Sequence, residues 1–120
     1  MKVCLIYAST SGNVEFSVEF IAKVLKNSGF DTSLIRAEQA TLADIKNNKK
    51  FVFATSTWEH GKLNPFFQKL FDEMKGEDYY GKQAAFVGLG DRRYEPILFC
   101  KGIKDLRNLW LEKGGGEINT

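Results

Sequence analysis

The 120-residue chain lacks most of the signatures that would place it quickly. No apolar run approaches the roughly 18 residues that span a bilayer, so a membrane protein is not expected. The N-terminus has no charged segment followed by an apolar stretch and a cleavage site, which argues against secretion. Cys4 and Cys100 are the only cysteines and follow no pattern. They point to reduced thiols in a cytoplasmic protein, not to a disulfide framework. Net charge is only +2, and the basic residues do not cluster: Lys49-Lys50 and Arg92-Arg93 are mere pairs. Nucleic-acid binding therefore has little support. There is no internal repeat, low-complexity stretch or linker, so residues 1–120 are expected to form a single domain.

What is present is a clear alternation of buried strands and amphipathic helices. Val3 to Ala8 is an unbroken apolar run, as in a strand covered on both faces. Val14, Val18, Ile21, Ala22 and Leu25 then recur at helical spacing, and Gly29 supplies a helix stop. Asp31 to Arg36 reads as a second strand. Thr41 and Asp44 form a capping box, with Asp in place of the usual Glu, at the head of a short second helix. Phe51 to Thr55 is a third strand. Asn64-Pro65 opens a third helix whose stripe is Phe66, Phe67, Leu70, Phe71 and Met74. Ala84 to Val87 is a fourth strand. Pro96 opens a fourth helix with Phe99, Ile103, Leu106 and Trp110 inward, broken by Gly114-Gly115-Gly116. Glu117 to Thr120 reads as a very short last strand. This β-α-β-α-β-α-β-α-β order, with right-handed crossovers, predicts an α/β fold with a doubly wound parallel sheet. Ligands of such sheets bind beyond the C-terminal strand ends, where the loops after strands 1, 3 and 4 meet.

Those loops also lack a good deal. Ser9-Thr10-Ser11-Gly12-Asn13 has no Lys after its glycine, so it is not the P-loop of nucleotide hydrolases. It has one glycine where a dinucleotide fingerprint needs three. It has no Cys or Arg for a phosphatase, and Ala8 stands where a phosphorylatable receiver would have Asp. What remains is three hydroxyls and a glycine at a helix start, where backbone N–H groups and the helix dipole favour an anion. Taken alone, the loop is as well explained by a simple helix cap. Ser56-Thr57-Trp58 ends the third strand with an aromatic able to stack on a planar ring. A lid over the helix of Phe66 and Phe67 is the plainer account of Trp58. Leu89, Gly90 and Asp91 offer backbone donors and acceptors, and Tyr94 a second aromatic; alone, Tyr94 would be read as a surface tyrosine. Together the three loops describe a pocket for a flat ring with a phosphate tail.

At this point the chain resembles the flavodoxins, small proteins that hold FMN and shuttle electrons. Ser9-Thr10-Ser11-Gly12-Asn13-Val14-Glu15 is similar to their phosphate loop. Thr55-Ser56-Thr57-Trp58 is similar to the loop that places a Trp on one flavin face. Gly88-Leu89-Gly90-Asp91 with Tyr94-Glu95 is similar to the loop that places a Tyr on the other. The resemblance runs from residue 1 to about 118. It implies a flavodoxin-like five-stranded sheet of order 2-1-3-4-5 and FMN as cofactor. By the same resemblance Ser9, Thr10, Ser11, Gly12, Asn13 and Val14 hold the phosphate, and Ser56 and Thr57 approach the ribityl chain or the ring. Trp58 and Tyr94 sandwich the ring. Leu89, Gly90 and Asp91 meet its pyrimidine edge, and the Glu59 carbonyl, with Gly61 in the same loop, faces its N5. An electron-rich sandwich disfavours the fully reduced anion, and a peptide that flips favours the one-electron state. The implied function is a one-electron carrier without turnover of its own, meeting a flavodoxin or ferredoxin reductase and electron acceptors.

Four departures modify that picture. Val14 stands where the family usually has Thr, removing one hydroxyl worth roughly 0.5–1.5 kcal/mol to the phosphate. Glu59 stands where many short relatives have Gly, and a non-glycine resists positive φ. The chain is basic, with a pI of about 8.5, where flavodoxins are acidic. Glu59, Asp91 and Glu95 are balanced by Lys62, Arg92 and Arg93, which weakens steering toward a basic partner. The family also continues past Ile118 into the rest of strand 5 and a fifth helix. Without that helix, either Phe51/Phe53 or Val52/Ala54 and their strand-4 neighbours would face water. A homodimer through that face, a partner supplying the helix, or marginal stability is then expected. Two other functions stay open: a flavodoxin-like NAD(P)H-dependent quinone or flavin oxidoreductase, and a non-redox interaction domain. Nothing resembles an added nicotinamide pocket, and the intact Trp58 and Tyr94 loops argue against loss of FMN.

Overall fold

A computed structural model of the chain describes residues 2–8, 13–56, 65–89 and 96–118. Five strands and four helices alternate among them. They are β1 (Lys2–Ala8), α1 (Asn13–Asn27), β2 (Asp31–Arg36), α2 (Leu42–Lys46), β3 (Lys50–Ser56), α3 (Pro65–Met74), β4 (Gln83–Leu89), α4 (Pro96–Glu112) and β5 (Gly116–Glu117). All strand pairs are parallel and the order is β2-β1-β3-β4-β5, as the sequence pattern and the resemblance imply. The last strand is shorter than expected: Gly116–Glu117 pairs with β4, and Ile118 N–H adds one bond to the Ala84 carbonyl at 2.9 Å. Asn119 and Thr120 lie outside the described residues.

Local chemistry sets the element ends. Asp44 accepts the Thr41 backbone N–H at 2.9 Å, so the shorter carboxylate does serve as the capping partner. At the end of α1, Phe30 N–H bonds the Leu25 carbonyl at 3.0 Å and Gly29 N–H that of Lys26 at 3.1 Å. That is a Schellman stop, which needs the left-handed Gly29 (φ +94°). Pro65 and Pro96 each occupy the first turn, where a missing N–H costs nothing.

The sheet separates two apolar layers. On one face Val3, Leu5, Tyr7, Val52 and Ala54 meet Val18 and Ala22 of α1. On the other, Cys4, Ile6, Phe51, Phe53 and Ala84 meet Phe67, Leu70 and Met74 of α3 and Ile103, Leu106 and Trp110 of α4. Trp110 is the hub of the second layer. Its ring stacks on Tyr79 at 4.6 Å and meets Phe53 and Phe51 edge-on at 5.4 and 5.6 Å. Its Nε1–H donates to the Gly116 carbonyl at 2.9 Å, tying α4 to β5. The Tyr79 hydroxyl donates to the Met74 carbonyl at 2.6 Å, and burial pushes its pKa well up. The glycine run after α4 does more than break a helix: a Cβ on Gly115 would lie 2.3 Å from Trp110 Nε1. Cys4 is a buried, free thiol whose pKa burial raises, consistent with an inert core residue.

One expectation is corrected here. Neither side-chain set of β3 faces water: Phe51 and Phe53 lie under the α4 layer, and Val52 and Ala54 are also buried. The reason is the reach of α1, which leans from β1 over β3. The thinly covered strip lies one strand further out, at the half-buried Ala85 and Val87 of β4. A second exposed apolar stripe lies on α1. Glu15 reaches Arg36 of β2 and so marks the β2 flank of that helix. Helical spacing then puts Ser17, Ile21 and Val24 on the β3–β4 flank. Phe16, Phe20 and Val24 are 73%, 64% and 49% exposed.

Candidate functional site

The site follows from register. Ala8 of β1 pairs with Thr55 of β3, and Thr55 with Gly88 of β4. Three neighbouring strands therefore end level. With strands about 4.8 Å apart, the three chain exits fall within roughly 10 Å of one another. From β1 the chain turns through α1 to β2 on one side. From β3 it turns through α3 to β4 on the other. The crevice between β1 and β3 is thus the switch point of the sheet, the place where doubly wound folds leave room for a ligand.

The structure brings the anchors of the three loops together. Asn13 is the first residue of α1, and Val14 follows it in the first turn. Ser56 is the last residue of β3. Leu89, expected in a loop, is instead the last residue of β4, paired with Ser56. The ladder extends because parallel pairing uses only backbone groups, which Gly88 and Leu89 supply regardless of side chain. Ser9, Thr10, Ser11, Gly12, Thr57, Trp58, Glu59, Gly61, Gly90, Asp91 and Tyr94 lie outside the described residues. Thr55 is a buried polar residue at the floor of the crevice, 2% exposed.

A polar cluster that the sequence reading did not single out borders the first loop. Arg36, the last residue of β2, donates from Nη1 to Glu15 Oε2 of α1 at 3.1 Å. Its Nε donates to Glu38 Oε1 at 2.5 Å. Its guanidinium lies 5.5 Å from the ring centre of Tyr7 on β1. The Ala37 N–H bonds the Tyr7 carbonyl at 2.7 Å, closing the corner. The hydrogen bond to the Glu38 carboxylate raises the pKa of the guanidinium, which stays charged. The pair Glu15–Arg36 spans 21 positions, so no local pattern announces it. Among the described residues no group of His, Cys, Asp and Glu could hold a metal ion.

Fold and crevice together define a class: doubly wound parallel α/β proteins with a ligand seat at the β1–β3 switch point. The flavodoxin family model matches residues 5–119. The flavodoxin of Maridesulfovibrio salexigens is 33% identical over 120 residues, covering 98% of this chain and 80% of that protein. The chain belongs to the flavodoxin family. The crystal structure of oxidised Flavodoxin 2 from Bacillus cereus superposes with a TM-score of 0.90 at 26% identity, covering 99% of this chain and 80% of that one. The Fusobacterium nucleatum flavodoxin bound to flavin mononucleotide shares the fold, with a TM-score of 0.83 at 22% identity over 98% of this chain and 68% of that one. Among the described residues no helix is long and apolar enough to cross a membrane.

Proposed function

We propose that the chain binds FMN at the β1–β3 crevice and carries electrons one at a time between redox proteins. The observation that supports this most is the level ending of β1, β3 and β4. In sequence these strand ends lead into a hydroxyl-rich stretch before α1, a stretch with Trp58 and a stretch with Tyr94. The F. nucleatum flavodoxin of the same fold is bound to FMN. The hydroxyls of Ser9, Thr10 and Ser11, with N–H groups from Gly12 to Val14 at the head of α1, suit a phosphate held without a charged side chain. Ser56 and Thr57 suit the ribityl chain or ring. Trp58 and Tyr94 suit the two ring faces, and Leu89, Gly90 and Asp91 its polar edge. The Glu59 carbonyl suits N5, with Gly61 in the same stretch. Bound FMN supplies the electron chemistry; the residues bind it, orient it and keep water from its faces.

On this reading the function is that of a carrier, served by a flavodoxin or ferredoxin reductase and by electron acceptors in the cytoplasm. Adding FMN to the purified protein should quench flavin fluorescence at one FMN per chain. NAD(P)H alone should then leave the bound flavin oxidised. Reduction by NAD(P)H without a reductase would favour the quinone oxidoreductase reading. No binding at all would leave only a non-redox interaction domain.

The exposed Phe16, Phe20 and Val24 of α1, together with the half-buried Ala85 and Val87 of β4, are proposed as a homodimer contact. Glu19 and Lys23 border the stripe on α1, so an antiparallel second copy would bring Glu19 near that copy's Lys23. Sedimentation at micromolar concentration should show a dimer, and Phe20→Glu a monomer. A wild-type chain that stays monomeric at all concentrations would contradict this contact.

A further inference from the structure

We propose that Arg36 is a positioning residue for the phosphate end of the FMN site, compensating the charge of Glu15 and Glu38 beside it; this inference rests on the FMN reading above. Glu15 lies in the first turn of α1, three residues past Gly12. A carboxylate there is favoured by the helix dipole, but a phosphate monoester, with a charge of about −1.5 to −2, seeks the same dipole. Glu38 adds a second carboxylate at the end of β2, and its Oε2 is buried without a hydrogen-bond partner among the described residues. Unpaired, two such carboxylates would repel a phosphate across a partly desolvated corner.

Arg36 is the group that makes the corner tolerable. It bridges both carboxylates, at 3.1 Å to Glu15 and 2.5 Å to Glu38. It also lies over Tyr7, the residue before the last of β1. One side chain therefore ties β1, β2 and the first turn of α1 together around the start and end of the loop 9–12. Its planar fork makes two directed contacts at once, which a lysine cannot reproduce. Removing it takes the cluster from a net charge of about −1 to about −2 and frees the head of α1 from β2. Both effects act on the phosphate and neither on the isoalloxazine ring, so FMN and riboflavin, which lacks the phosphate, separate them.

The test is titration of the full chain with FMN and with riboflavin, read by flavin fluorescence. Arg36→Ala should weaken FMN by about tenfold or more while riboflavin changes less than about threefold. Arg36→Lys should recover only part of the FMN affinity. Glu15→Gln, which keeps Arg36 and removes one carboxylate, should raise the FMN preference over riboflavin by about threefold. Arg36→Ala with Glu15→Gln should regain most of the loss. If Arg36→Ala weakens both flavins equally, or neither, the proposal fails. If Arg36→Ala does not fold, Glu15→Gln decides, and an unchanged or lower FMN preference overturns it. A wild-type protein that does not distinguish FMN from riboflavin removes the phosphate seat itself and the FMN reading with it. A wild type that prefers FMN, with that preference intact in Arg36→Ala, overturns the role of Arg36 alone.

Discussion

Replacing Trp110 with alanine should lower the unfolding free energy by about 3–5 kcal/mol, the usual cost of deleting a fully buried aromatic. The size of the effect follows from what the indole touches. It is fully buried, stacks on Tyr79 at 4.6 Å and meets Phe51 and Phe53 edge-on. Deleting it leaves a cavity under β3 and β4 that rings held on separate elements cannot readily fill. It also frees the Gly116 carbonyl, the point where α4 grips the edge strand β5. For a chain of this size the loss corresponds to a fall in Tm of roughly 10–20 °C. Trp110→Phe should cost less but still lose the Nε1–H bond, worth about 1 kcal/mol. Urea unfolding followed by far-UV circular dichroism measures both. A Trp110→Ala protein within 1 kcal/mol of wild type would contradict the hub assignment.

The second large effect belongs to the cofactor. Under the proposed function, Trp58→Ala should raise the Kd for FMN by roughly 30- to 1,000-fold, equivalent to about 2–4 kcal/mol. A large aromatic covering one face of a flat ring excludes water over much of it and adds a stacking contribution. Tyr94→Ala should act in the same direction and more weakly, since the smaller ring covers less. The apoprotein should keep its unfolding midpoint in both, because ligand-contact residues on loops carry little of the core. Fluorescence titration and urea unfolding of the same samples separate the two. Weakened FMN binding with an equally destabilised apoprotein would make Trp58 a packing residue instead.

The fold was legible because its strongest signals are local. The apolar runs of β1 and β3 and the spacing of Val18, Ala22, Phe67, Leu70, Ile103 and Trp110 each specify an element and its inward face. The prolines and Gly29 punctuate the helices where backbone chemistry requires. What escaped the sequence depends on distance. Tyr79 sits between Asp78 and Tyr80 in a polar stretch, and only the tertiary stack on Trp110 reveals it as core. The role of Gly115 is a steric fit to a ring five positions earlier, which a glycine run conceals. The lean of α1 over β3 moved the thinly covered strip to β4. Arg36 looked like any strand-terminal cation until α1 brought Glu15 to it. The candidate site stands in the sequence as three loop motifs, while the strand register supplies what motifs cannot: the level ends of the three strands that precede them.

The central claim, an FMN-loaded one-electron carrier, is tested most directly by an anaerobic redox titration of the protein with bound FMN, followed by visible absorbance. Two well-separated one-electron waves are predicted, at potentials displaced from those of free FMN. A single two-electron wave at the position of the free cofactor would contradict the account.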